Sequence, residues 1–172
     1  MSRLHCLDWD LLPVDVPPWC REAPGLEVWQ AVSGDVSGWR VYAGAIPGGQ
    51  ILQLSTDLAG PDAHREAPFH YVVETDVMPG ALEDFHRWYE EEHLPGLARV
   101  PGTVRARRYV RPHPAPGQPP FYACYDLMDA GVTESPPWLA VRGTAWSARV
   151  RPQFCQTRRT LFRRASWPPA PL

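Results

Sequence analysis

The chain contains no lysine: all 17 of its basic residues are arginine. That absence removes every mechanism needing a lysine, whether a Schiff base to a carbonyl substrate or the phosphate-binding lysine of a P-loop. Cysteine is scarce and scattered, at Cys6, Cys20, Cys124 and Cys155, with neither paired metal-ligand spacing nor a dense disulfide framework. No apolar run reaches the length of a bilayer-spanning helix, so no membrane partner is expected. Asp8 and Asp10 follow Cys6 where a signal peptide would turn from basic to apolar, and a reduced, cytoplasmic location is the expectation.

What is present is the composition of a soluble globular protein, 172 residues with 44% hydrophobic and 21% charged side chains. That length supports one good core, or one compact domain with a smaller companion. Charge is unevenly spread. Residues 1–68 carry nine acids and four arginines, whereas residues 103–172 carry three acids and eleven arginines. A basic C-terminal third suits an anionic ligand or nucleic acid. Its arginines mostly alternate along strand-like segments, and no nucleic-acid-binding motif accompanies them, so no nucleic-acid partner is expected.

Hydrophobic periodicity is clearest from residue 70 onward. His70 to Val77 alternates as a half-buried strand, and Met78-Pro79-Gly80 is a turn. A helix begins near Ala81, with Glu83 and Asp84 in its first turn. Thr103 to Val110 and Phe121 to Met128 read as strands joined by the proline-rich loop 112–120. Ser135-Pro136-Pro137 opens a second helix with Ser135 as its cap, and Cys155 to Arg163 is a fourth strand. This βαββαβ order specifies an α+β, ferredoxin-like fold, an antiparallel sheet with both helices on one face. Such a sheet leaves its other face to bury, so a homodimer or an internal pseudo-dimer is expected. Before residue 66 the signal is weaker. Leu4 to Trp9 reads as a strand and Pro17 to Val32 as a short broken helix. Trp39 to Ile46 with Gln50 to Leu58 reads as a hairpin across Pro47-Gly48-Gly49, giving a degenerate βαββ half. The expected division is an N-terminal segment 1–66 ending in a linker, a barrel domain 67–165, and a proline-rich tail 166–172.

One segment breaks its own local rules. At about 100° per residue, Leu82, Phe85, His86, Tyr89, His93 and Leu97 share a helix face, placing two imidazoles and a phenol among core positions. Glu90, Glu91 and Glu92 crowd what Pro95 marks as the end of the helix, where the dipole disfavours acids. Conflicts of this kind concentrate at functional sites.

Trp88, Tyr89, Glu92, His93 and Pro95 spell Trp-Tyr-x-x-Glu-His-x-Pro, followed by Val100-Pro101-Gly102 and the arginine-rich strand Arg105 to Tyr109. With these, residues 70–164 resemble the dimeric α+β barrel superfamily, and within it the proteins carrying this helix motif. The resemblance implies two ferredoxin-like sheets packed face to face, with a small-molecule cavity between each sheet and its helices. The superfamily includes polyketide cyclases, muconolactone isomerase, cofactorless monooxygenases, EthD-like proteins and heme-binding chlorite dismutases and peroxidases. His86 stands where that pattern suggests a small polar residue such as asparagine, so its role is not borrowed.

The candidate catalytic residues are His93 as general acid/base, His86 as its partner, and Tyr89 as a phenolic donor. Trp88, Trp138 and Trp146 are candidate walls for a planar ligand, against the ordinary use of tryptophan as core. Arg105 and Arg107 are candidates to hold an acidic group, with Glu74 and Asp76 as internal alternatives. His86, Glu90 and His93 also suit a metal by ligand type and spacing. The sequence therefore leads to a small enzyme without a dissociable cofactor. It would do proton-transfer chemistry (cyclase, isomerase or lyase) on a hydrophobic, aromatic or polyketide-like substrate with an anionic group. The alternatives are a cofactorless or metal-dependent oxygenase, and a dimeric protein that binds without catalysis.

Overall fold

The computed structural model describes residues 3–10 and 17–166; the rest of the proline-rich tail, 167–172, lies outside them. Eight strands run through this region: β1 (Arg3–Trp9), β2 (Glu27–Gly34), β3 (Trp39–Ala43), β4 (Gln50–Ala59), β5 (Phe69–Val77), β6 (Thr103–Val110), β7 (Phe121–Leu127) and β8 (Phe154–Ala165). They close into one barrel in the order β1-β3-β2-β8-β5-β7-β6-β4.

The C-terminal half, β8-β5-β7-β6, is the expected antiparallel ferredoxin-like sheet. The N-terminal half has the same strand order, β4-β1-β3-β2, so the two halves are related sheets joined at two seams, β2 with β8 and β4 with β6. Two N-terminal expectations are corrected. Residues 17–32 are not one broken helix: α1 (Pro18–Glu22) is a single turn, and β2 follows it. Nor do residues 39–58 form a hairpin, because β1 lies between β3 and β4 and pairs with both.

Alternation along the strands sorts side chains between two compartments. Outward from the C-terminal sheet, Val73, Val77, Ala106, Ala123, Tyr125 and Leu127 meet the helices in the main apolar core. Inward, Trp29, Tyr42, Leu52, Val72, Tyr122, Cys124 and Phe162 fill the barrel. The barrel also buries charge, much of it in ion pairs. Glu74 accepts from Arg40 and Arg158, both at 2.6 Å, and Arg40 also bonds Asp8 at 2.7 Å. His70 meets Asp126 at 2.7 Å, and Arg107 donates to the same carboxylate.

The helical layer is α2 (Leu82–Trp88), a π-helical turn (Tyr89–His93), α3 (Leu94–Ala98), α4 (Pro136–Arg142) and α5 (Ala145–Val150). Ser135 does not cap α4 with its side chain; its hydroxyl donates to the Val132 carbonyl instead. The cap interaction sits one helix later, where Thr144 Oγ1 accepts from the Ser147 N–H at 3.0 Å.

Candidate active site

Pro95 neither ends nor sharply breaks the helical run, which continues as α3 to Ala98. The extra residue is absorbed as a π turn, in which the Leu94 N–H reaches the Tyr89 carbonyl five residues back. Glu90 to Glu92 therefore lie mid-run and not at a helix end, which removes the dipole conflict. Glu91 pairs with Arg87, and Glu92 accepts from the Thr144 hydroxyl at 2.6 Å.

The π turn also decides what His93 faces. In an unbroken α-helix, residues five apart are separated by roughly 140° around the axis. Here Trp88 and His93 instead stack, with centroids 4.0 Å apart and planes at 22°. Tyr89 closes on the imidazole edge-on at 5.4 Å. The Trp88 indole N–H is held by Ser147 Oγ at 3.2 Å, which fixes the platform. π turns of this kind recur at functional sites.

His93, Trp88 and Tyr89 line a cavity between helices and sheet, with Tyr71, Tyr125, Trp138, Arg142, Arg151 and Arg159. The room it leaves for water is about 30 Å³, and the space between its atoms, open mouth included, is about 360 Å³. Three buried polar atoms on its walls have no hydrogen-bond partner: His93 Nδ1, Tyr125 Oη and Trp138 Nε1. Each such group costs about 1–3 kcal/mol when left unpaired, so three around one cavity need a reason.

At the mouth, the guanidiniums of Arg142, Arg151 and Arg159 make no ion pair among the described residues. Burial, then the charges of Arg151, Arg142 and Arg108, press the His93 pKa down to about 3, so it is a neutral imidazole. Burial holds the Tyr125 hydroxyl protonated well above its ordinary range and pushes Tyr89 up to about 12. At neutral pH the site thus offers one neutral imidazole, protonated phenols, an indole N–H and three cations.

The structure does not bring all the sequence candidates together. His86 lies outside this cavity, beside Phe121, where Arg108 Nη2 donates to its Nδ1 at 3.2 Å. Burial and then Arg108 lower the His86 pKa. Trp146 is on the outer surface of the layer, its indole bonded to Asp84 at 2.9 Å. Arg105 pairs with Asp57 and Arg107 with Asp126, away from His93, and both line a separate polar recess. Asp76 accepts from the Val77 N–H, and Glu74 is taken by Arg40 and Arg158. His86, Glu90 and His93 do not converge; among the described residues no group of three His, Cys, Asp or Glu side chains is placed to hold a metal.

Tyr71, Tyr125, Arg142, Arg151 and Arg159 were not singled out from the sequence. Only the two tyrosines left a trace, as phenols in the helix-facing rows Tyr71-Val73-Val77 and Ala123-Tyr125-Leu127. The three arginines come from α4, the turn after α5, and β8, and only the fold collects them.

No family model matches the chain, and no curated protein matches its sequence. Solved structures do match in shape. A heme-degrading enzyme from Listeria monocytogenes superposes with TM-score 0.57 and 7% identity, over 94% of this chain and 98% of that one. A protein named as a monooxygenase from Fusobacterium nucleatum gives 0.61 and 8%, over 94% and 91%. A ferredoxin-fold protein related to antibiotic biosynthesis monooxygenases, also from L. monocytogenes, gives 0.60 and 7%, over 96% and 95%. At such identities the likeness is one of fold. This chain has a ferredoxin-like α+β architecture, with two four-stranded sheets closed into one barrel within a single polypeptide.

Proposed function

We propose that this protein is an enzyme acting on an aromatic or polyketide-like acid by forming and holding a substrate oxyanion in the His93 cavity. The observation that carries the reading is a single cavity lined by His93, Tyr125 and Trp138, whose Nδ1, Oη and Nε1 are buried and unpartnered, and by three arginines without ion pairs. The aromatic walls suit a planar ring, and the arginines suit its acidic group.

In the proposed step a phenolic or enolic O–H of the substrate breaks. Its proton passes to His93, and the electron pair stays on oxygen, which accepts hydrogen bonds from Tyr125 Oη–H and Trp138 Nε1–H. The sequence expectation of a histidine titrating near neutrality is corrected here, because the free protein holds His93 near 3. Burial is the larger cause and the cations the smaller; a substrate anion would offset the cations' share and raise His93 toward the range of a base. Tyr125 replaces His86 as its working partner.

From that oxyanion, ring closure, isomerisation or bond cleavage needs no further group. The monooxygenase names of two structural neighbours support a second outcome, in which dioxygen is the oxidant that takes electrons from the same anion.

The test is a turnover screen of hydroxylated aromatic acids under air and under argon. Consumption that falls by about 10²–10⁴ in His93→Ala and also falls in Tyr125→Phe is expected. Oxygen dependence would assign the second outcome. Full rates in both variants on the substrate found would overturn the proposal.

A further inference from the structure

Of the arginines in the described chain, eight pair with carboxylates: Arg40, Arg65, Arg87, Arg105, Arg107, Arg149, Arg158 and Arg164. Arg142, Arg151 and Arg159 do not, although they meet at one cavity mouth. The acids near them are otherwise placed. Asp35 accepts from the Arg159 backbone N–H and not its guanidinium, and Glu134 shares a groove with Arg159 without an ion pair. The charges of Arg142 and Arg159, after burial, weaken Arg151's hold on its proton, so the three are mutually repelling neighbours.

Three like charges gathered without counter-ions oppose folding unless a ligand supplies the charge. A single carboxylate leaves most of that repulsion in place. The floor beneath them is apolar and aromatic, with Tyr125, Trp138 and His93 as buried, unpartnered polar groups. Tyr71 and Arg159 also line an adjoining groove of about 440 Å³, so a second acidic group has room beyond the first.

We propose that Arg142, Arg151 and Arg159 form a clamp that selects an aromatic ligand carrying two acidic groups, one beside the inner cavity and one spanning Arg159 toward the groove. This rests on the site reading above and specifies its ligand class.

The test is calorimetric titration of the full chain with benzoate, isophthalate and inorganic phosphate at two salt concentrations. One added ion pair at a part-buried cluster is expected to make isophthalate bind about tenfold more tightly than benzoate, with the difference shrinking at high salt. Arg159→Gln, checked by circular dichroism, should bring isophthalate down to the affinity of benzoate in the same variant, and Arg151→Gln should weaken both acids. Equal affinity for benzoate and isophthalate, or phosphate as tight as isophthalate, would overturn the clamp and leave the site reading standing. Failure of both aromatic acids to bind would overturn the clamp and the site reading together.

Discussion

Tyr125→Phe isolates the cavity's unusual polarity in one atom. The Tyr125 hydroxyl is fully buried at 0% exposure and has no hydrogen-bond partner. Phenylalanine keeps the ring and its contacts, edge-on to Trp138 at 5.1 Å and stacked with Tyr71 at 6.2 Å. Removing a buried, unsatisfied hydroxyl relieves a desolvation penalty of about 1–3 kcal/mol and loses no protein hydrogen bond. The variant should therefore be more stable than wild type, by about 1 kcal/mol or more. For a chain of this length that raises Tm by roughly 2–4 °C per kcal/mol. Urea unfolding should show a higher midpoint with an unchanged slope. Tyr122→Phe is the matched comparison. Its hydroxyl accepts from buried Arg111, so the same chemical deletion should lower stability. A Tyr125→Phe protein less stable than wild type by more than about 0.5 kcal/mol would refute the reasoning, since the hydroxyl would then have a partner within the fold.

Other perturbations have equally definite signs. Ser147→Ala strips the Trp88 indole of its acceptor and the Val141 carbonyl of a donor, and should cost about 1–3 kcal/mol by urea unfolding. His93 carries a pKa of about 3 when folded against 6.5 ordinarily, so below pH 6.5 the unfolded chain takes up a proton that the folded one refuses. Stability should fall as pH drops from 6.5 toward 3, and His93→Gln should flatten that limb relative to wild type in parallel melts. Gly34 has φ +115°, and a Cβ there would lie 2.1 Å from the Arg159 carbonyl oxygen in the seam between β2 and β8. Gly34→Ala should open that seam, read as faster amide exchange in β2 and β8 than in β6 and β7.

The C-terminal half was legible because its strands alternate and its turns carry proline or glycine, signals that act within a few residues. β2 was not. Val28 and Trp29 are both buried, one against α1's side of the sheet and the other in the barrel, so the run lacks an alternating period. The segment 39–58 carries a local hairpin signal at Pro47-Gly48-Gly49, but pairing with β1 across more than thirty residues overrides it. His93, Tyr89, Trp88 and Trp138 could be nominated because each is unusual on its helix. Which of them meet was fixed by the π turn, whose one-residue slip turns His93 onto Trp88 and leaves His86 behind with Arg108. The arginine cluster had no sequence signature beyond a basic C-terminal third.

The most direct test of the account is nuclear magnetic resonance of the histidine ring nitrogens, with His93 assigned by His93→Gln, during titration with a hydroxylated aromatic acid. The free protein should show a neutral His93 ring from pH 5 to 9, and saturation should shift its nitrogen resonances and raise its pKa as ligand charge offsets Arg142 and Arg151. A ligand that binds while the His93 resonances and titration stay unchanged would contradict the assignment of this cavity as the site.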